Sequence, residues 1–183
     1  IAYCFNKSVK DDDYVGQLPG AKALSKTWNG GDWKNSNVSV VNYSLFDGSG
    51  VERPAYLYTQ ANLQFLIAEA NVRFINDDAA AQAAYEAAIE ADFNAKGIAG
   101  YDAFIAGPKV AWAGATDKLN LIYMQKWAAL CYMDNMEAWS EIRRTDVPVL
   151  SNQKASDIFA DATIYTPGDL IEPAENGIEA GGL

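Results

Sequence analysis

From Thr59 onward the apolar residues of this chain recur at helical spacing. Leu63, Leu66, Ile67, Ala70 and Phe74 fall on one stripe, which predicts a helix ending near Ile75-Asn76, with Asp77 or Asp78 capping the next. That second pattern is lined by Ala80, Ala84, Ala87, Ala88 and Ala91, with Tyr85 and Ile89. Its small side chains permit close approach of the first helix, so the pair reads as a helical hairpin. A third pattern runs from about Asp117 to Met133 through Leu119, Ile122, Tyr123, Trp127 and Leu130, with Thr116 placed to cap it. Asp134-Asn135 interrupts the pattern, and Asn135 suits a left-handed backbone at a corner. A short last helix then carries Ala138, Trp139 and Ile142 until Pro148 stops it. Trp127 and Trp139 lie on apolar stripes and are assigned to the core.

Outside these patterns the chain reads differently. Residues 1–53 are rich in Gly, Asn, Asp and Ser, with a Val38/Val40 alternation ending near Tyr43 that suggests a short strand at 38–43. Residues 151–183 read as an extended, acidic C-terminal tail. The spacing from Ala68, Glu69 and Ala70 to Tyr85, Ala88 and Ile89 is close to a tetratricopeptide unit. The expected fold class is therefore mainly α: tetratricopeptide-like helical hairpins (an α-α superhelix) over 54–150, with long irregular loops and little β, all in one domain.

Composition narrows the function. Half of the 183 residues are hydrophobic and 12% aromatic, which excludes a disordered chain. The net charge is −10 and the 14 Lys and Arg residues form no basic stripe, so nucleic acid and anionic membrane surfaces are not expected partners. No apolar run is long enough to span a bilayer. Histidine is absent, which removes Ser-His-Asp and Cys-His nucleophiles, His-ligated zinc and the commonest general base. No carboxylate pair stands out for glycoside hydrolysis and no Gly-rich phosphate loop follows a strand, so neither enzyme activity nor a cofactor is expected. Cys4 and Cys131 read as ordinary residues, Cys131 as a small buried hydrophobe. The Asp11-Asp12-Asp13 run reads as a solvated loop, with calcium as the alternative. Glu69 is expected to pair locally with an arginine. Arg143 and Arg144 are expected to clamp Glu137, Glu141 or free carbonyls at a helix end.

One stretch has the chemistry of a binding surface. Trp28 and Trp33 bracket the flexible polar turn Asn29-Gly30-Gly31-Asp32. A pyranose presents an apolar C–H face that stacks on an aromatic ring, while its hydroxyls need partners such as Asn29, Asp32 and Asn35. Tyr14 and Tyr43 extend the platform, and Trp112 is a further candidate. The alternative is that these tryptophans anchor a long loop to the helices.

Gln125-Lys126-Trp127, a corner, Glu137-Ala138-Trp139, and Arg143-Arg144-Thr145 before Pro148 together resemble the closing helices of the SusD/RagB family of outer-membrane nutrient-binding lipoproteins. Upstream, Pro54-Ala55-Tyr56-Leu57-Tyr58 leading into Leu66-Ile67-Ala68-Glu69-Ala70 and Arg73 is similar to the family's helix entry and Ala-Glu-Ala signature; Asp13-Tyr14-Val15-Gly16 through Pro19-Gly20 resembles a family loop. The resemblance implies the C-terminal part of a longer lipoprotein at the cell surface. It also implies capture of oligosaccharide without cleavage, on a tetratricopeptide-like scaffold, for a SusC-like TonB-dependent transporter in the outer membrane. A tetratricopeptide-like scaffold that binds peptide or protein in a helical groove is the second expectation.

Overall fold

The computed structural model describes residues 3–16, 38–42 and 56–149. The chain divides into two units, Ile1–Gly50 with Ser151–Leu183, and Val51–Leu150.

In the first unit the described residues form a small backbone-bonded knot. Phe5 and Val41 make an isolated antiparallel bridge, flanked by the Asn6 N–H donating to Val40 O and the Asn42 N–H donating to Cys4 O, both at 2.9 Å. Ser39 turns the other way: its N–H donates to Val15 O, and its hydroxyl accepts from the Val15 N–H. Residues 38–42 are thus shared between two short neighbours, which leaves a bridge and no strand among the described residues. Val38, Cys4 and Ser8 are its buried residues.

The second unit is helical. Helix α1 spans Gln60–Ala70 and α2 spans Asp78–Lys96; α3 spans Tyr101–Ile105, α4 Lys118–Leu130 and α5 Asn135–Thr145. This is the mainly α architecture expected. The Thr59 hydroxyl caps α1 by accepting from the Asn62 N–H, and the Asp77 carboxylate caps α2 through the Ala80 N–H. Between them the helix widens into a π turn over Asn71–Ile75 and ends on Asn76 in the left-handed region. Only Asn76 and Asp77 remain before α2 starts, so two helices in extensive contact must run antiparallel.

The face of α1 that packs is not the expected stripe. Ala61, Phe65 and Ala68 are buried, whereas Leu63, Leu66, Ile67 and Phe74 are 39–75% exposed. The segment is apolar nearly all round, so periodicity alone offers two stripes. The neighbour decides: alternating small and large side chains of α1 fit against Ala81, Ala84, Tyr85 and Ala88 of α2, all buried in one core cluster. Phe65 and Tyr85 meet edge to face with centroids 6.2 Å apart.

The loop after α3 closes that core. Trp112 is 3% exposed, and its ring centroid lies 5.3 Å from that of Tyr85. Its indole N–H donates to the Asp78 carboxylate at 3.2 Å, and the Tyr85 hydroxyl donates to Val110 O at 2.8 Å. The Lys118 ammonium covers the indole face at 4.6 Å and donates to Trp112 O. Trp112 is therefore a core residue, not a stacking platform.

Two details of α4 and α5 differ from expectation. The cap of α4 is Asp117, not Thr116: Asp117 is extended and its carboxylate accepts from the Asn120 N–H at 2.9 Å, where an anion also meets the helix dipole favourably. The left-handed residue of the corner is Tyr132, at φ +58, not Asn135. Asn135 opens α5, and its side-chain oxygen accepts from the Tyr132 N–H at 3.1 Å, which offsets the unusual backbone there. Asp134 caps α5 through the Glu137 N–H.

Because the α1–α2 contact depends on small side chains, Ala88→Leu, at a position with no exposure, is expected to destabilise the protein by about 1–3 kcal/mol in urea unfolding. Ala83→Leu on the exposed face of α2 should change stability by less than about 0.5 kcal/mol.

Candidate functional site

Of the six residues proposed for ligand binding, Trp28, Asn29, Asp32, Trp33 and Tyr43 lie outside the described residues. Tyr14 is half-buried in the first unit, and its backbone N–H donates to the Asp13 carboxylate at 2.7 Å. The acidic run beside it is tied locally: Asp11 accepts from the Ser8 hydroxyl and Asp12 lies 3.4 Å from the Lys7 ammonium. Among the described residues no group of three or more His, Cys, Asp or Glu side chains is placed to hold a metal.

The second unit gathers its charges into one clasp. Glu69 projects from α1 and is 6% exposed. Both its oxygens accept from the Arg144 guanidinium at 2.8 Å, a bidentate pair. Arg73, one turn along, donates at 2.8 Å and the Tyr123 hydroxyl at 3.0 Å. Arg144 lies over the Tyr123 ring at 5.1 Å and also donates to Glu141. Glu141 in turn lies 2.9 Å from the ammonium of Lys126, which is 1% exposed; this is a close ion pair that falls short of hydrogen-bond geometry. Glu137 stands at 3.7 Å.

These contacts answer the sequence expectations in part. The local Glu69–Arg73 pair and the Arg144–Glu141 clamp are present. The pairing of Glu69 with Arg144, 75 residues away, was not read from the sequence, because nothing in local spacing signals it. Arg143 takes another course and stacks over the Trp139 indole at 4.7 Å. Trp139 is 53% exposed and so is not a core residue, whereas Trp127 is half-buried. On α5 the inward positions go to Glu141 and its cationic partners, which turns Trp139 to the surface. Cys131 is half-buried where α4 ends, rather than fully enclosed.

Electrostatically the clasp is settled in its charged form. Burial alone would raise the Glu69 carboxyl, but hydrogen bonds from Arg144, Arg73 and Tyr123 outweigh it and hold the group at about 2. Glu141 is likewise lowered against burial by Arg144 and Lys126. The Tyr123 hydroxyl is raised, by burial and by its bond to Glu69. With every carboxylate oxygen facing a cation or a donor, the cluster has no base held ready for a substrate. Its role is to tie α1, α4 and α5 together.

An open groove with different chemistry lies at the other end of α1. Its walls come from Tyr56 and Tyr58 on the chain entering α1 and from Glu90, Ala91 and Asn94 of α2, around a cavity of about 410 Å³. Its lining holds no lysine or arginine. Sequence reasoning missed it because the groove is made by two segments about thirty residues apart. The available signal was the aromatic pair just before a helix cap, opposite an alanine-rich face.

The helical unit thus joins a closed internal charge clasp to an open groove lined by aromatic, amide and alanine side chains with one carboxylate, Glu90. The SusD-like family model described as "Starch-binding associating with outer membrane" matches residues 2–165, and the chain belongs to that family. Members of this family are binding proteins rather than enzymes. No curated protein matches the chain. No helix among the described residues is long and apolar enough to cross a membrane.

The clasp predicts an acid signature. Glu69 has a lowered carboxyl in the folded protein, so its contribution is fully present above the ordinary value of 4.5 and is lost as pH falls toward about 2. Glu69→Gln is expected to lose roughly 1–3 kcal/mol at neutral pH, because Arg144 keeps only Glu141 as its anionic partner and a bidentate charge-assisted pair is lost. It should also flatten the fall in stability between those two pH values, read by chemical denaturation of variant and parent side by side. Asp92, which burial raises despite Lys96, contributes equally to both proteins and drops out of the difference.

Proposed function

We propose that the chain captures oligosaccharide at the cell surface, as part of a lipoprotein on the outer membrane, and delivers it to a SusC-like TonB-dependent transporter without cleaving it. The observation that carries this reading is the family match over residues 2–165. Composition supports it. A chain of net charge −10 without histidine suits neutral or cationic ligands and lacks the commonest catalytic base. In this reading the tetratricopeptide-like helices are the scaffold, and the loop bearing Trp28, Asn29, Asp32 and Trp33, with Tyr14 and Tyr43, supplies stacking faces and hydroxyl partners.

A second reading has one observation in its favour. Leu63, Leu66 and Ile67 of α1 and Phe74 and Ile75 of the π turn after it stay exposed, apolar surface of the kind that binds peptide or protein.

Calorimetric titration of the protein against a polysaccharide panel separates the two. Saturable binding is expected, weakened at least about tenfold in Trp28→Ala/Trp33→Ala with unchanged circular dichroism. If no glycan binds while apolar helical peptides do, the second reading replaces the first. Copurification with a barrel transporter tests the partner, and a protein found only in the cytoplasm would refute the location.

A further inference from the structure

The groove beside the α1 cap keeps aromatic and polar groups that packing leaves uncovered, although Ala91 of its floor also packs against the core. On α2, positions 87, 91 and 95 are all alanine, so one turn after another leaves room where a larger side chain would fill it. Across that floor stand Tyr56 and Tyr58, 41% and 55% exposed. Burying an aromatic ring removes a large apolar area from water, and two partly exposed rings lining a cavity of about 410 Å³ offer such area to a ligand. The rim is polar. Gln60, Glu90 and Asn94 are exposed, and among the described residues neither these side chains nor the two phenol hydroxyls make a hydrogen bond within the protein.

The geometry points to a saccharide subsite in this groove. A pyranose ring lies in the groove above the alanine floor with its C–H face against Tyr56 or Tyr58, and its hydroxyls donate to Glu90 and exchange hydrogen bonds with Asn94 and Gln60. The ligand class follows from what the walls satisfy. An anionic ligand would face Glu90 with no cation in the lining. A wholly apolar one would cover a carboxylate and two amides without partners, at a cost of a few kcal/mol. A neutral ring with an apolar face and a hydroxyl edge meets both requirements, and the open side lets a longer chain continue outward. The inference rests on the glycan reading above and adds a second place of contact, carried by the helices, to the tryptophan loop.

The test is a two-dimensional amide NMR titration of the full chain with maltohexaose, cellohexaose and xylohexaose, followed at the side-chain amides of Gln60 and Asn94. Saturable shifts there are expected with at least one sugar. They should be lost in Tyr56→Ala/Tyr58→Ala and weakened roughly tenfold in Asn94→Ala, with the remaining spectrum preserved. Asn94→Ala alters an exposed rim residue, so it keeps the test open even if the double variant loses its fold. Sugar-dependent shifts confined to residues near Trp28 and Trp33 would overturn the groove and leave the glycan reading standing. No shift with any sugar would overturn both.

Discussion

A carboxylate at 6% exposure on a helix is a demand on its surroundings, because removing it from water costs several kcal/mol unless both oxygens are satisfied. Glu69 makes that demand at the centre of the helical unit, and the positions of three helices follow from the answer. Arg144 must approach from the last turn of α5 with its fork in plane, and Tyr123 must face inward from α4. Once Arg144 is there, Glu141 comes with it, and Lys126 is buried on α4 to balance the second carboxylate. A bidentate pair tolerates little displacement, so the clasp specifies register as well as adding stability.

The hydrophobic core supplies the complementary constraint. Alanines on α2 bring α1 close, and Phe65, Tyr85 and Trp112 fill what remains. The same preference for small residues continues along α2 to positions 87, 91 and 95, where Tyr56 and Tyr58 stand opposite without filling the space and the groove opens. Close packing at one place and an opening at the other therefore come from one sequence habit. The clasp and the groove divide α1 between them: Glu69 near its end fixes the helix, and Tyr56 and Tyr58 before its start remain available.

How much of this was legible in the sequence depended on range. Caps and breaks are legible because they are local: Asp77 and the stop at Asn76 stand as expected, and the cap of α4 lies a single residue from the expected one. The helical class followed from periodicity. The packed face of α1 did not, since a helix apolar nearly all round carries no preference until its neighbour is known. The places of Trp139, exposed, and Trp112, buried, differ from expectation for a similar reason. An apolar stripe on α5 lost its place to an ion-paired one, and an indole in a loop found Tyr85 and Asp78 across the fold. The tyrosine groove was invisible for the same cause, being assembled from distant segments. Family resemblance reached further than spacing, because separated motifs in order carry long-range information that periodicity lacks.

The clasp also bears on how the unit responds to heat. Hydration of charged groups carries a strongly negative entropy, so the penalty for burying Glu69, Glu141 and Lys126 shrinks as temperature rises, while the gain per unit of apolar area levels off. Ion pairs that are close to balanced in the cold thus become a larger share of the net stabilisation on warming. The joint among α1, α4 and α5 is in this sense a thermal reinforcement, strongest in relative terms when the contribution of the alanine-lined core has levelled off.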